Sequence, residues 1–207
     1  SFGSNYVGYT WKRAPSYFSA VAYDGGNGSS IIHDLGVTPE MYWIKCRSDG
    51  STNRGWAVYH KDATAQASQY LRLDTNDSVI SLGVFNNGTI DASTFSANNG
   101  YSIVNESGET YIAYLFATVP NVSCVGSFTH TSGSTNVDCG FSNGARFVLI
   151  KRTNTTGDWL LFDAVRGINA SANDPVIYLN SSAAQDSGYN LLEPLSSGFT
   201  VSGNDWG

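Results

Sequence analysis

The chain has 207 residues, of which 41% are hydrophobic and 14% are charged, with a formal net charge of −6 at pH 7. A chain of this length and apolar content can bury one large or two small cores, which excludes intrinsic disorder. Its acidic balance, without a cluster of lysines or arginines, argues against nucleic-acid binding. No apolar run of about 18 residues is present, so the sequence predicts no membrane insertion.

The first half of the chain is a series of short predicted strands. Aromatic residues make up 13% of the sequence and alternate with Gly, Ser, Asn and Thr, a balance typical of strands joined by tight turns. Residues 41–46 and 111–116 are apolar on both alternating faces, which predicts strands covered on both sides. Residues 61–69 allow one helical turn at most. The other strands predicted in this half are residues 6–11, 19–23 and 56–59.

The second half continues the same pattern. Residues 122–128 form a loosely alternating strand before a polar turn, and residues 147–151 and 159–162 are predicted central strands. Turns that recur at these intervals favour two packed antiparallel sheets over a helix-containing fold. The sequence therefore predicts an all-β fold, an antiparallel β-sandwich.

The two halves repeat each other with an offset of about 105 residues. Trp56 and Trp159 both follow a glycine-bearing turn, and Phe95 matches Phe199 before a polar turn. We therefore predict one repeat over residues 1–110, including an N-terminal strand, and a second over residues 111–207. Trp56 and Trp159 are expected at equivalent positions, where core packing is favoured over stacking on a sugar ring.

The segment 6–11 resembles the strand predicted at 111–116, whereas the second repeat reaches Gly207 without such a strand. We expect residues 6–11 to complete the second repeat, which would make the chain one pseudo-symmetric unit, because an unpaired strand edge is costly. Two alternatives stay open: another subunit supplies the strand, or the chain is trimmed.

Three cysteines have no zinc-binding spacing and cannot all pair. Cys124 and Cys139 flank a polar turn, so a hairpin there would place them opposite each other for a disulfide bond. Two small buried thiols explain the pattern equally well. Cys46 lies in an apolar strand and is predicted to be a core residue.

Few side chains suggest a ligand site. Asp74, Asn76 and Asp77 gather oxygen atoms in one turn and are candidate ligands for Ca²⁺, although an Asx-rich turn accounts for them equally well. Apart from this turn, the sequence indicates no cofactor. Tyr17, Phe18 and Trp206 lie in polar or terminal segments and are the candidate ligand-binding aromatics.

No catalytic motif is recognisable. His33, His60 and His130 have no metal-ligand spacing and lie in no nucleophile motif. Glu106 and Glu109 share one turn, whereas glycan hydrolysis needs two carboxylates that face each other across a cleft. The sequence therefore predicts a protein that is not an enzyme, and a secreted carbohydrate-processing enzyme is a weaker alternative.

A series of short motifs carries a resemblance. It includes Leu35-Gly36-Val37, the apolar strand ending at Lys151, Trp159 after its glycine turn, Tyr178-Leu179-Asn180, Gly198-Phe199 and the segment 111–120. Over nearly the whole chain, this series resembles a domain repeated near the C-termini of tail-fibre and other virion proteins of marine bacteriophages. The resemblance implies a concanavalin-like or jelly-roll sandwich displayed on a virion surface. An N-terminal shaft or attachment region, usual in that arrangement, is not recognisable in this sequence.

Two functional hypotheses follow from this resemblance. In the first, the protein is a receptor-binding or adhesin module of a tail fibre or spike tip, recognises a host cell-surface glycan through its loops, and forms a homo-oligomer. In the second, it is a structural decoration or assembly protein of the capsid or tail, and binds other virion proteins.

Overall fold

The computed structural model describes residues 6–48, 54–66, 68–170 and 173–203. These ranges form strands and turns without a helix, so none of their residues forms a membrane-spanning helix. Every strand pairing is antiparallel, which confirms the predicted all-β sandwich class. The strands of the first half are β1 (Phe18–Asp24), β2 (Ser30–Ile32), β3 (Met41–Cys46), β4 (Ala57–His60), β5 (Gln69–Arg72), β6 (Ile80–Ser81), β7 (Thr94–Ser96) and β8 (Thr110–Phe116). Those of the second half are β9 (Ser134–Asp138), β10 (Phe147–Lys151), β11 (Trp159–Asp163), β12 (Ile177–Tyr178), β13 (Leu192–Leu195) and β14 (Gly198–Ser202).

The first half is built on a six-stranded sheet in the order β1-β8-β3-β4-β5-β6. Alternation along β3 directs Tyr42, Ile44 and Cys46 to one face, and each is 5% exposed or less. That face packs against Ile31 of β2 and Phe95 of β7, the two strands of a small second sheet. The core of the first half lies between these two sheets, and Cys46 belongs to it, as predicted.

The second half is a smaller sandwich of two three-stranded sheets, β10-β11-β12 and β13-β14-β9. Its core contains Val148 and Phe162 from the first sheet and Leu192, Phe199 and Val201 from the second. The order of pairing matches that of the first half: β9 pairs with β14 as β2 pairs with β7, and β10, β11 and β12 follow one another as β3, β4 and β5 do. A two-repeat origin stays a prediction.

The two halves pack through the outer faces of their main sheets. We call this contact the seam; its buried residues are Val58, Leu71, Leu73 and Trp159, with Trp56 and Leu149 packed against them. Trp159 is 3% exposed, and its indole N–H donates to the carbonyl of Arg72 at 2.7 Å. The seam joins the two sandwiches into four stacked layers. It also explains why β3, β4 and β11 are apolar on both faces, as the sequence predicted.

Trp56 and Trp159 share a pattern of local contacts. The backbone N–H of Trp56 donates to Asp74 Oδ1 at 2.9 Å, and that of Trp159 donates to Asn180 Oδ1 at 2.7 Å. In each hairpin a lysine on the preceding strand reaches a carbonyl of the turn, Lys45 to Arg54 and Lys151 to Gly157. Both indoles contact the seam, Trp159 from the buried centre and Trp56 from a half-buried position.

Two predicted strands are absent. Residues 6–13 form no strand, so the backbone pairing expected for residues 6–11 is wrong; the segment contacts the second half through its side chains instead. The rings of Tyr9 and Trp11 pack edge-on against Phe147 of β10, with centroid distances of 5.3 and 5.5 Å. Residues 122–128 also form no strand. At their start, the Ser123 N–H and hydroxyl bond back to Val119 and Ala117 in a turn.

Candidate ligand-binding surface

The best-organised polar cluster of the described chain surrounds Asp163 at the end of β11. The Asp163 side chain is 7% exposed. It accepts hydrogen bonds from the hydroxyl of Tyr9 at 2.7 Å and from the backbone N–H groups of Val165 and Arg166 at 2.9 Å each. The two backbone bonds form an Asx turn that ends the strand and starts the next loop. Asp163 therefore fixes both the N-terminal segment and the Arg166 loop.

Arg166 extends this cluster toward the surface. Its Nε donates to Asp163, and its terminal nitrogens donate to the Gln185 side-chain oxygen at 3.1 Å and to the Tyr9 oxygen at 3.2 Å. A further bond reaches the Leu161 carbonyl at 3.2 Å. The side chain is 12% exposed, so its guanidinium is held in one orientation beside Gln185.

The cluster shifts the pKa values of its members in opposite directions. Burial opposes ionisation of Asp163, but the hydrogen bonds from Tyr9 and Arg166 outweigh burial and lower the Asp163 pKa to about 2. Burial, helped by the bond to Asp163, raises the pKa of the Tyr9 phenol to about 12. At neutral pH the cluster therefore holds a charged carboxylate, a charged guanidinium and a neutral phenol.

The loop after β12 lies beside Arg166 and is hydrogen-bonded by the buried carboxylate of Asp174. Asp174 is fully buried and accepts the N–H groups of Asn169, Leu191 and Leu192, each at 2.9 Å. The Asp174 N–H in turn donates to the Tyr189 carbonyl. These bonds fix the C-terminal end of the loop and join it to the segment at Asn169.

This loop presents a mixed aromatic and polar surface. The Tyr178 hydroxyl donates to Asp186 at 3.4 Å, Gln185 is exposed, and the Tyr189 side chain is 44% exposed. We call Arg166, Tyr178, Gln185, Asp186 and Tyr189 together the Arg166–Tyr189 surface. An exposed aromatic ring can stack on an apolar ring face, and amide, carboxylate and guanidinium groups can hydrogen-bond hydroxyl groups.

A shallow groove of about 380 Å³ lies on the other half, between β1 and the strand end at Ile32. Its one carboxylate, Asp34, is already engaged by Arg13 and by the hydroxyl of Ser19.

The three aromatic residues predicted to bind a ligand have different positions. Phe18 is 6% exposed, so its prediction as a surface residue is wrong. As the first residue of β1, it lies opposite Phe116 in register and stacks on Tyr114 at 6.3 Å. Tyr17 is half-buried, and burial raises its pKa. Trp206 lies outside the described residues.

The predicted metal-binding turn is part of the contact between the two halves. Asp74 pairs with Arg72 at 3.0 Å and accepts the Trp56 N–H. The Asn76 carbonyl accepts the Gly157 N–H at 2.9 Å and the Lys151 ammonium at 3.3 Å, while Asp77 accepts the Thr75 hydroxyl. The structure thus gives Asp74, Asn76 and Asp77 separate partners. Within the described ranges no group of three acidic, histidine or cysteine side chains could hold a metal ion.

Cys124 and Cys139 are both free thiols. The hairpin expected to bring them together is not formed, since Cys124 lies in an irregular segment and Cys139 directly follows β9. Cys124 is exposed and Cys139 is half-buried. Burial, with the neighbouring Cys124 as a smaller cause, raises the pKa of the Cys139 thiol to about 12.

The histidines support the backbone. His33 Nδ1 accepts the Leu35 N–H at 3.1 Å, and His60 Nδ1 accepts the Asp62 N–H at 3.2 Å. Burial lowers the pKa of His60. The ring of His130 lies between Thr135 and the Gly203 carbonyl.

Sequence reasoning did not select the Asp163 cluster. The spacing of Asp163 and Arg166 is an Asx-turn signal, which occurs in many loops, and the contacts with Tyr9 and Gln185 join residues far apart in the chain. The fold and this surface define a β-sandwich protein of four layers that presents one ordered polar and aromatic surface on its second half.

The comparisons with known proteins place the chain in a family. A model of a domain of unknown function, DUF7483, matches residues 3–206, and the chain belongs to that family. No curated protein matches the chain, and no solved structure matches it.

Proposed function

We propose that the protein is a non-enzymatic module of a bacteriophage virion surface that recognises a host cell-surface glycan. The virion setting comes from the resemblance of its motifs to tail-fibre domains. The observation that supports glycan binding is the Arg166–Tyr189 surface, where the exposed ring of Tyr189 lies in a loop with the Gln185 amide and the Asp186 carboxylate. Sugars offer an apolar ring face and a rim of hydroxyl groups, and this surface has a partner for each.

The order of this surface also supports the proposal. Arg166 is fixed by four acceptors and Asp174 fixes the C-terminal end of the loop, so these groups lose less conformational freedom on binding. Single sites of this kind bind weakly, and homo-oligomer formation would raise the apparent affinity for a cell surface. A trimer is the arrangement expected of a spike tip.

A glycan array on the purified protein tests the proposal. We expect binding to one group of related glycans, and Tyr189→Ala should lower the affinity at least about tenfold through loss of ring stacking. Ile32→Ala is the matched control, because Ile32 is 77% exposed on the other half. The proposal is overturned by an array without binding, or by equal losses in both variants.

The second candidate is a structural decoration or assembly protein, and one observation favours it. Within the described residues β10 pairs with β11 alone, so its other edge offers backbone groups to a strand from another virion protein. Mass measurement in solution, with and without virion proteins, separates the candidates. A closed trimer supports the adhesin, whereas assembly only on capsid or tail proteins supports the structural role.

A further inference from the structure

The sequence contains four Asn-Gly pairs, which begin at Asn27, Asn87, Asn99 and Asn143, and all four lie within the described ranges. In such a pair the backbone nitrogen of the glycine can attack the side-chain amide carbon of the asparagine, because glycine has no side chain to obstruct the approach. The attack needs a glycine nitrogen that is not hydrogen-bonded and an asparagine side chain that is open to water. The structure therefore distinguishes the pairs by what each glycine contacts.

Two of the pairs are protected by backbone hydrogen bonds. The Gly100 N–H donates to the Asn105 carbonyl at 2.9 Å, and the Gly144 N–H donates to the Ser196 carbonyl at 2.7 Å. Each of these bonds would have to break before the glycine nitrogen could attack. The asparagines of both pairs are exposed, so it is the bonded glycine that protects them.

The pair of Asn87 and Gly88 is protected by packing. No described residue accepts the Gly88 N–H, but a Cβ added to Gly88 would lie 2.2 Å from the Ser29 carbonyl oxygen and 2.3 Å from the Ser96 hydroxyl. The Gly88 carbonyl also accepts the Gln66 amide at 3.0 Å. Ring closure rotates the backbone between the two residues of the pair, and this close packing resists the rotation.

The pair of Asn27 and Gly28 has neither protection. Both residues are exposed, and the amide bond between them has no hydrogen-bond partner among the described residues. The Asn27 side chain makes one long contact, from its amide nitrogen to the Asp24 carbonyl at 3.5 Å. The buried side chain of Asn105 bonds the groups on either side of the pair, the Gly26 N–H at 2.8 Å and the Gly28 carbonyl at 2.7 Å.

We propose that Asn27 is a site of spontaneous deamidation, which converts it through a cyclic succinimide to aspartate and isoaspartate. The Gly28 nitrogen loses its proton to hydroxide and attacks the Asn27 amide carbon. The bond from that carbon to the side-chain nitrogen breaks, and the nitrogen leaves as ammonia. Water then opens the ring at either carbonyl, so that one water is consumed for each ammonia released and nothing is oxidised. This inference does not depend on the proposed ligand.

The isoaspartate product has a structural consequence in the turn between β1 and β2. Isoaspartate adds one carbon to the backbone between Gly26 and Gly28, the two residues that Asn105 bonds. Asn105 is fully buried and also donates to the Ala97 carbonyl at 2.7 Å, so it cannot follow a displaced turn. The isoaspartate form should therefore unfold at a lower temperature than the starting protein.

The test incubates the folded, full-length chain at neutral and at mildly alkaline pH and follows each pair by peptide mapping with mass spectrometry. Deamidation adds about one dalton, and the isoaspartate peptide separates from the aspartate peptide on chromatography. We expect Asn27 to react at least about tenfold faster than each of the other three asparagines, and faster at the higher pH. In urea the difference should largely disappear, because the protecting contacts are lost.

Two variants serve as controls. Asn27→Gln should abolish the reaction at this turn, because a glutamine would have to close a larger ring. Asn27→Asp gains the charge without the longer backbone and should keep the midpoint of thermal unfolding, whereas the isolated isoaspartate form should lose roughly 3–5 °C. Equal rates at the four pairs of the folded chain, a faster reaction at another pair, or no reaction at Asn27 while the unfolded chain reacts would each overturn the proposal.

Discussion

Strands β3 and β10 hold matching places in the two halves but differ in their neighbours. β3 is hydrogen-bonded on both sides, to β4 and to β8, whereas β10 is bonded to β11 alone among the described residues. At the start of β10 the rings of Tyr9 and Trp11 pack against Phe147. Met41 of β3 lies opposite Phe116 of β8 in register, so an aromatic side chain flanks the start of each strand. The second edge of β3 is closed by backbone bonds, whereas the ring contacts at β10 involve its first residue, Phe147.

The seam gives the largest test of this comparison. Trp159→Ala should lower the free energy of unfolding by about 3–5 kcal/mol, because a buried indole and its bond to the Arg72 carbonyl are lost. Trp56→Ala should cost about half as much, since Trp56 is half-buried. Urea unfolding followed by circular dichroism measures both, with Trp159→Phe as the conservative control. Equal losses at the two positions would show that the halves contribute equally to the seam.

The next test removes the aromatic contacts that Tyr9 and Trp11 make with the first residue of β10. Replacing Tyr9 and Trp11 together by Ala should cost about 2–3 kcal/mol, since two aromatic contacts with Phe147 disappear. Hydrogen exchange should become faster in β10, while β3 keeps its protection because both its edges are paired. Unchanged hydrogen-exchange protection of β10 would mean that the rings of Tyr9 and Trp11 do not stabilise this strand.

Acid should weaken the Asp163 cluster of the second half. The Asp163 pKa of about 2 lies below the value of about 3.9 usual for an unfolded chain, so this carboxylate stabilises the fold above pH 4. Its contribution, about 1–2 kcal/mol after solvent screening, is lost as the pH falls from about 4 toward 2. Urea unfolding at several pH values, with Asp163→Asn as the reference, measures this slope. A slope that survives in Asp163→Asn would assign it to other carboxylates.

A smaller effect is expected from the phenol alone. Tyr9→Phe keeps the ring against Phe147 but removes the hydrogen bond to Asp163, which should cost about 1 kcal/mol and raise the Asp163 pKa. Carboxyl chemical shifts followed by NMR titration measure the pKa directly. A pKa that stays near 2 would assign the whole shift to Arg166.

The smallest test compares Asp74 and Asn180, whose side-chain oxygens accept the N–H groups of Trp56 and Trp159. Asp74→Asn keeps an oxygen for the Trp56 N–H but loses the ion pair with Arg72, which should cost about 0.5 kcal/mol. Asn180→Asp should cost somewhat more, because the new carboxylate would face Asp158, whose oxygen now accepts from Asn180 at 2.7 Å. Thermal unfolding of both variants measures the difference. The reverse ranking would contradict the contacts assigned to each hairpin.

The strands that pack on both faces were predictable from the sequence. The patterns at 41–46, 111–116, 147–151 and 159–162 match β3, β8, β10 and β11, because continuous apolar runs need cover on both sides. Residues 6–11 have the same composition yet stay outside the sheet. Side-chain patterns report which residues seek burial, but not whether the backbone of a segment pairs with a neighbour.

The candidate site was much less predictable. Phe18 lies in a polar stretch, which favours exposure, and only its register with Phe116 shows that it is buried. Asp163 and Arg166 become a site through Tyr9 and Gln185, which no local pattern connects to them. The turn with Asp74 and Asn76 looked like a cation site because oxygen atoms crowd there. Arg72 and the Trp56 N–H engage Asp74, whereas the second half engages the Asn76 carbonyl through Gly157 and Lys151.

The position of β8 between β1 and β3 determines when the first sheet can form. Among the described strands β1 pairs only with β8, and β3 pairs with β4 on one edge and needs β8 on the other. Because β8 ends at Phe116, a ribosome must release more than half of the chain before this sheet closes. Such distant pairing makes folding slow relative to helical proteins of equal stability. Until β8 arrives, the aromatic strand β3 has an unpaired edge, and the nascent chain is most exposed to aggregation during that interval.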